Sequence, residues 1–239
     1  MKNSKQYAQS IQKLYRSLKR KGSKVKKVQY EDIIESLIHA IVLEYMTESA
    51  SNTAFKKFSD YFVDYNDMRV SRPEEIVEML GEDSEATRKI AVNIISVMGV
   101  IFRKYNSLNL DSLKKTGKRQ AKAILEKFDG VSKFCVDYCM LTALDGHAVP
   151  LTENMTAFFK ENELVDAESD AADIEGFLTR QISAKNAYEF YSLLRRQSES
   201  PKARKAARKK TAKSAAKQKQ PEQQTQPADN KNSETQNVG

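Results

Sequence analysis

Few side chains in this 239-residue sequence have the type and spacing to do chemistry. Cys135 and Cys139 lie four apart in a helical pattern, which suits neither a disulfide framework nor a zinc site. They read as small buried thiols in a reducing compartment. His39 and His147 are isolated, with no metal-ligand spacing around them, so no metal site and no cofactor is expected. No phosphate-binding loop, dinucleotide fingerprint or Ser/His/Asp set stands out. What remains is backbone chemistry. Phe128-Asp129-Gly130-Val131-Ser132 falls between one helical stretch ending near Lys127 and another beginning near Ser132. A glycine there lets the chain turn tightly, and free N–H groups at a helix start can hold a phosphate. Lys114, Lys115, Lys118, Arg119, Lys122, Lys127 and Lys133 put seven basic residues within twenty around this turn. An ordinary helix–helix turn has the same glycine, so the turn alone is weak evidence.

The elements that would hold this turn are helical almost throughout. Tyr7, Ile11, Leu14, Tyr15 and Leu18 form one stripe, ended by Gly22 and Ser23. Tyr30 to Met46 carries Ile33, Ile34, Leu37, Ile38, Ile41, Val42 and Tyr45, the pattern of a core helix. A third helix is expected over 53–62, with Phe55, Phe58, Tyr61 and Phe62 turned inward. Ser71 or Arg72 leads into a helix with Pro73 in its first turn and acids after it, stopping at Gly81. Ser84 caps a long helix through Tyr105, in which Gly99 points to close helix packing. Shorter helices are expected near 110–116, 118–127, 131–144, 152–162, 171–182 and 184–198. No alternating strand pattern of useful length exists, so the fold class is all-α.

Charge divides the chain into three. Residues 1–27 hold ten Lys or Arg and no acid, a basic N-terminal helix or arm. Residues 28–199 form the helical body and are acidic, with 20 basic and 29 acidic residues. Residues 200–239 hold ten basic and three acidic residues, with no large apolar residue until Val238. Such a tail cannot bury enough surface to offset chain entropy and is expected to be disordered. Its Lys/Ala run, PKARKAARKKTAKSAAKQKQ, fits salt-sensitive contact with a nucleic acid. A solubilising tail without a partner is the plainer alternative. RNA and anionic lipid fit the same charge, but no apolar stripe supports membrane insertion. No stretch of 18 or more apolar residues occurs, and the N-terminus lacks the apolar core of a signal peptide, so a cytoplasmic, nucleoid-associated protein is expected.

Ile124 to Val165 resembles the helix-hairpin-helix and active-site segment of the endonuclease III-like DNA glycosylases. The family's hairpin is Leu-Pro-Gly-Val-Gly followed by x-Lys-Thr-Ala. Here Gly130 stands at the first glycine and Ser132 replaces the second. Lys118-Arg119-Gln120-Ala121 sits where the family has a turn and a basic helix start. Downstream, Pro150-Leu151-Thr152-Glu153-Asn154-Met155 falls without a gap where the family has Pro-Val-Asp-Thr-His-Val, and Asn162-Glu163-Leu164-Val165 matches its Leu-Gly-Leu-Val. The stretch from Phe62 to Glu75 resembles the entry to this fold. The resemblance covers residues 28–198 and implies duplex DNA, held mostly by its backbone, as the partner. The implied DNA-binding residues are Lys118, Arg119, Lys122, Lys127, Gly130, Val131, Ser132 and Lys133.

At both positions that carry the family's chemistry the residue differs. The resemblance implies a nucleophilic lysine just after the hairpin, where this chain has Phe134, and an aspartate assisting base departure, where it has Thr152. Lys133 is rotated from the first position by ~100°. Glu153, next to the second, reads better as a first-turn dipole partner. Asp137 and Asp145 read as solvated. The family's iron–sulfur cluster needs four cysteines after the helical domain, and no cysteine follows Cys139. No catalytic residue is therefore assigned. The leading expectation is a DNA-binding protein of glycosylase-like fold without the activity. A divergent glycosylase or abasic-site lyase with relocated residues is the second. A helical interaction protein whose tails bind RNA or a protein is the third.

Overall fold

The computed structural model describes residues 4–200. The expected disorder and polyanion contact of the C-terminal tail fall outside the described residues. Among the described residues there are helices and no strand, and no helix is long and apolar enough to cross a membrane.

The centre is α2, Ile33–Tyr45, with nine of its 13 residues buried. Its sequence is apolar nearly all round, which a helix tolerates only when neighbours cover every side. Those neighbours are α3 (Glu48–Tyr61), α6 (Glu85–Tyr105) and α8 (Lys133–Thr142). The short helices α4 (Tyr65–Val70) and α5 (Pro73–Leu80) pack on α6. A 3₁₀ turn over Asp111–Lys115 leads to α7 (Lys118–Leu125), which packs on α8. The last three helices are α9 (Glu153–Glu161), α10 (Ala171–Gln181) and α11 (Ala184–Ser198). The basic α1 (Ser4–Lys21) packs on α10 and α11 and buries Ile11, Tyr15 and Leu18 in the same core.

Helix boundaries follow the capping chemistry. Asp32 caps α2 by accepting from the Ile34 N–H at 2.8 Å. Pro73 opens α5 and Gly81, at φ +83°, closes it. Ser84 and Thr87 form a capping box on α6. Three expectations change. α3 starts at Glu48 rather than near residue 53, because Thr47 accepts from the Ala50 N–H at 3.2 Å. The poor helix formers Ser49, Ser51 and Asn52 hid that first turn. α4, too short to show a period, was not foreseen; Asp64 starts it by accepting from the Asp67 N–H at 2.8 Å. Tyr61 does not turn inward and is 58% exposed.

Gly99 also fails to bring two helices together. A Cβ there would meet only Arg103 of its own helix, at 3.3 Å. The close approach to α6 is made instead by Gly130, where a Cβ would lie 3.2 Å from Val97 Cγ2. Gly130 has φ +88°, so any other residue meets both a backbone penalty and this crowding. Gly130→Ala is expected to lower stability by about 1–3 kcal/mol, read as a urea midpoint shift, whereas Gly99→Ala should be neutral or mildly stabilising.

Candidate nucleic-acid interface

α7 ends at Leu125 and α8 begins at Lys133, with a reversing turn between them. The turn closes through Val131 N–H donating to the Phe128 carbonyl at 3.1 Å, and Gly130 supplies its left-handed residue. Ser132 then caps α8. Its Oγ accepts from the Cys135 N–H at 3.1 Å and donates to Glu44 Oε2 at 2.8 Å. Among the described residues, the backbone N–H groups of Gly130, Ser132 and Lys133 have no protein partner. Orphan donors of this kind at a helix start favour an anion.

The cations expected around the turn fall into two kinds. Arg119 and Lys127 are exposed and have no ion-pair partner among the described residues. Lys122 and Lys133 both reach Asp137, at 2.9 and 2.6 Å, and Lys133 also reaches Glu175 at 2.7 Å. Burial pulls the Lys133 ammonium down, but its hydrogen bonds to Asp137 and Glu175 outweigh that and leave it above its ordinary range. Lys118 and Lys114 donate to the carbonyl oxygens of Asp145 and Glu31. Asp137 is not solvated as its charge implied. It is 2% exposed and sits between α7 and α8, so the two lysines are its counter-ions. Asp145 is exposed and pairs with Lys27 at 3.2 Å.

Phe134 and Thr152 are both buried, 5% and 8% exposed. The Phe134 ring stacks near Tyr138 and lies 5.9 Å from the Arg195 guanidinium. Arg195 is itself buried, and its Nη2 donates to the carbonyls of Leu43 and Met46 at 2.6 and 2.7 Å. Thr152 caps α9, its Oγ1 accepting from the Met155 N–H at 3.3 Å. A threonine keeps the capping function that an aspartate would have there but not the charge. Among the described residues no group of three or more His, Cys, Asp or Glu is placed to hold a metal ion.

Sequence reasoning missed Glu44. It is a half-buried carboxylate beside the α8 N-terminus, bonded to Ser132 and approached by Cys135 Sγ at 3.6 Å. Burial pushes its carboxyl up, the Ser132 and Cys135 hydrogen bonds pull it down, and the charge of Glu153 pushes it up again. An acid near the end of an apolar helix, where the dipole disfavours it, was the available signal.

No protein-family model matches the chain, and no curated protein matches it in sequence. Solved structures do match. Endonuclease III in a non-covalent complex with DNA superposes with TM-score 0.62 at 15% identity, covering 82% of this chain and 86% of that one. The Clostridium acetobutylicum 8-oxoguanine glycosylase/lyase gives 0.61 at 14%, covering 81% and 69%. A thermostable thymine-DNA glycosylase gives 0.57 at 16%, covering 83% and 88%. The chain has the helix-hairpin-helix DNA glycosylase fold.

Within this fold Phe134 offers no amine and Thr152 no carboxylate. Lys133 is held as an ammonium by two carboxylates, and the Arg195 guanidinium does not deprotonate. Asp137→Asn is expected to cost about 1–2 kcal/mol, since its lysine partners are partly exposed, as measured by chemical denaturation. For Glu44 the folded state holds its proton more tightly than the unfolded chain. That contribution to stability is complete below pH 4.5 and is lost as pH rises through the higher folded value. Glu44→Gln should therefore flatten the decline in urea midpoint above pH 4.5.

Proposed function

We propose that this protein grips the backbone of duplex DNA through its hairpin and performs no base excision. The observation that carries the reading is the contrast between two neighbouring features. The Gly130 turn keeps unpartnered amides, and the same segment carries the unpaired cations Arg119 and Lys127, while Phe134 and Thr152 are buried and offer neither an amine nor a carboxylate. The similar solved structures include endonuclease III and the Clostridium acetobutylicum glycosylase with DNA bound, which supports DNA as the partner class. The acidic body would repel DNA as a whole, so contact is confined to the hairpin face, assisted by the basic ends of the chain. A DNA partner fits a cytoplasmic, nucleoid-associated location.

A second reading, a glycosylase with relocated catalysts, is favoured by Glu44 alone. It is a carboxyl group raised by burial and lying at the start of the hairpin's second helix.

Fluorescence anisotropy on duplex DNA across a salt series tests the first reading. A chain ending at Ser200 should bind weakly, in the non-specific range of roughly 10⁻⁴–10⁻⁶ M. Removing Arg119 and Lys127 together should reduce the slope of log K against log salt by nearly two, at about 0.9 per phosphate contact. Lys133→Met should leave that slope unchanged. Complete loss of DNA affinity in the chain ending at Ser200 would overturn the reading and favour an RNA or protein partner. Excision from a lesion panel, or a borohydride-trapped adduct on abasic DNA that Glu44→Gln abolishes, would establish the enzyme instead.

A further inference from the structure

At the N-terminal end of α2, away from the end where Glu44 meets the hairpin, α2, α3 and α4 enclose a cavity of about 360 Å³. Phe55, Phe58 and Phe62 wall it. Adjacent rings lie 5.9 and 6.2 Å apart at 65° and 53°, so they form the sides of a box rather than a stack. His39 stacks flat on Phe55, 3.1 Å between centroids, and fixes that ring. Tyr65, Glu35 and Asp64 complete the lining used here.

The electrostatics of this box are uncompensated. Among the described residues, nothing donates a hydrogen bond to Glu35 and no cation pairs with it. Burial pushes its carboxyl up, and the nearby Asp32 adds to the rise. His39 supplies no charge, because burial lowers it to about 3. Asp64 accepts from the Asp67 N–H through one oxygen, and Asp32 accepts from the Ile34 N–H and the Tyr65 hydroxyl, which leaves Glu35 as the acid without a donor. A half-buried carboxylate with carboxylate neighbours is costly unless a cation joins it. Aromatic faces carry negative charge density of their own and attract a cation that sheds its water easily.

We infer that this cavity binds an alkylated ammonium group, with Phe55, Phe58 and Phe62 around the methyl groups and Glu35 opposite the charge. A bare ammonium is too strongly hydrated to enter an aromatic box at the same cost. The group has two sources, a free quaternary ammonium solute or a methylated lysine on a protein. Val63 and Tyr61, 92% and 58% exposed beside the cavity, offer contact to the second. The inference is independent of DNA binding.

Calorimetric titration of the full-length protein tests it with choline and with 3,3-dimethylbutan-1-ol, the neutral carbon isostere of choline. Choline should bind at least about tenfold more tightly than the alcohol, because only the cation gains from the rings and from Glu35. Glu35→Gln should narrow that margin several-fold, to what the rings alone supply, while leaving the helical circular dichroism signal intact and the thermal midpoint unchanged or raised. Asp64→Asn, at an exposed position where asparagine still caps α4, should weaken choline binding by a smaller factor. A peptide bearing trimethyllysine that binds more than tenfold tighter than choline identifies a protein as the source. Equal affinity identifies the free solute, and either result supports the site. Equal binding of alcohol and choline, no saturable choline binding, or full affinity in Glu35→Gln would overturn it.

Discussion

A helix that ends inside a protein leaves carbonyl groups that must find donors. α2 ends in this way, and Arg195 meets the need. One nitrogen of its guanidinium serves Leu43 and Met46, another donates to the Tyr191 hydroxyl, and Nε lies 2.7 Å from Glu199 Oε1 as an ion pair rather than an aligned hydrogen bond. The remaining Glu199 oxygen accepts from the Glu48 N–H at the start of α3. One buried side chain thus fixes α11, the end of α2 and the start of α3 together. Its charge is matched on the spot, as burial requires. The guanidinium also lies 5.9 Å from the centre of the buried Phe134 ring.

The same rule of local neutrality governs the hairpin. Asp137 has its carboxylate inside the joint between α7 and α8, so two lysines are drawn inward to it. This gives the hairpin rigidity at the expense of free charge on its face. Arg119 and Lys127 remain as unpaired cations facing solvent. A surface rich in lysine by sequence is therefore less basic in three dimensions.

Most helices were legible because their signals are local. Period, capping residue and terminal glycine all lie within a few positions, as at Asp32, Pro73, Gly81 and Ser84. The failures have one cause each. α3 begins in residues of low helix propensity, and α4 is shorter than two turns. Of the site, the Gly130 turn and the altered residues at 134 and 152 were visible as types at a spacing. The fates of Glu44 and Arg195 were not, because each is decided by partners far away in the chain: Leu43 and Arg195 are separated by 152 positions, and Glu44 and Ser132 by 88. Asp137 meets lysines only 15 and four positions away, but its burial follows from the packing of α7 on α8, which the local pattern does not show. A charged residue within an apolar stretch was the only trace of them in the sequence.

Glu44 has a further consequence. The chain places its own carboxylate beside the same helix start whose amides are open to an anion. Any second anion arriving there raises the cost of keeping Glu44 ionised, and its carboxyl is already above its ordinary range. A phosphate held at the hairpin, as proposed, would then favour the protonated form of Glu44, so its binding would strengthen with acidity.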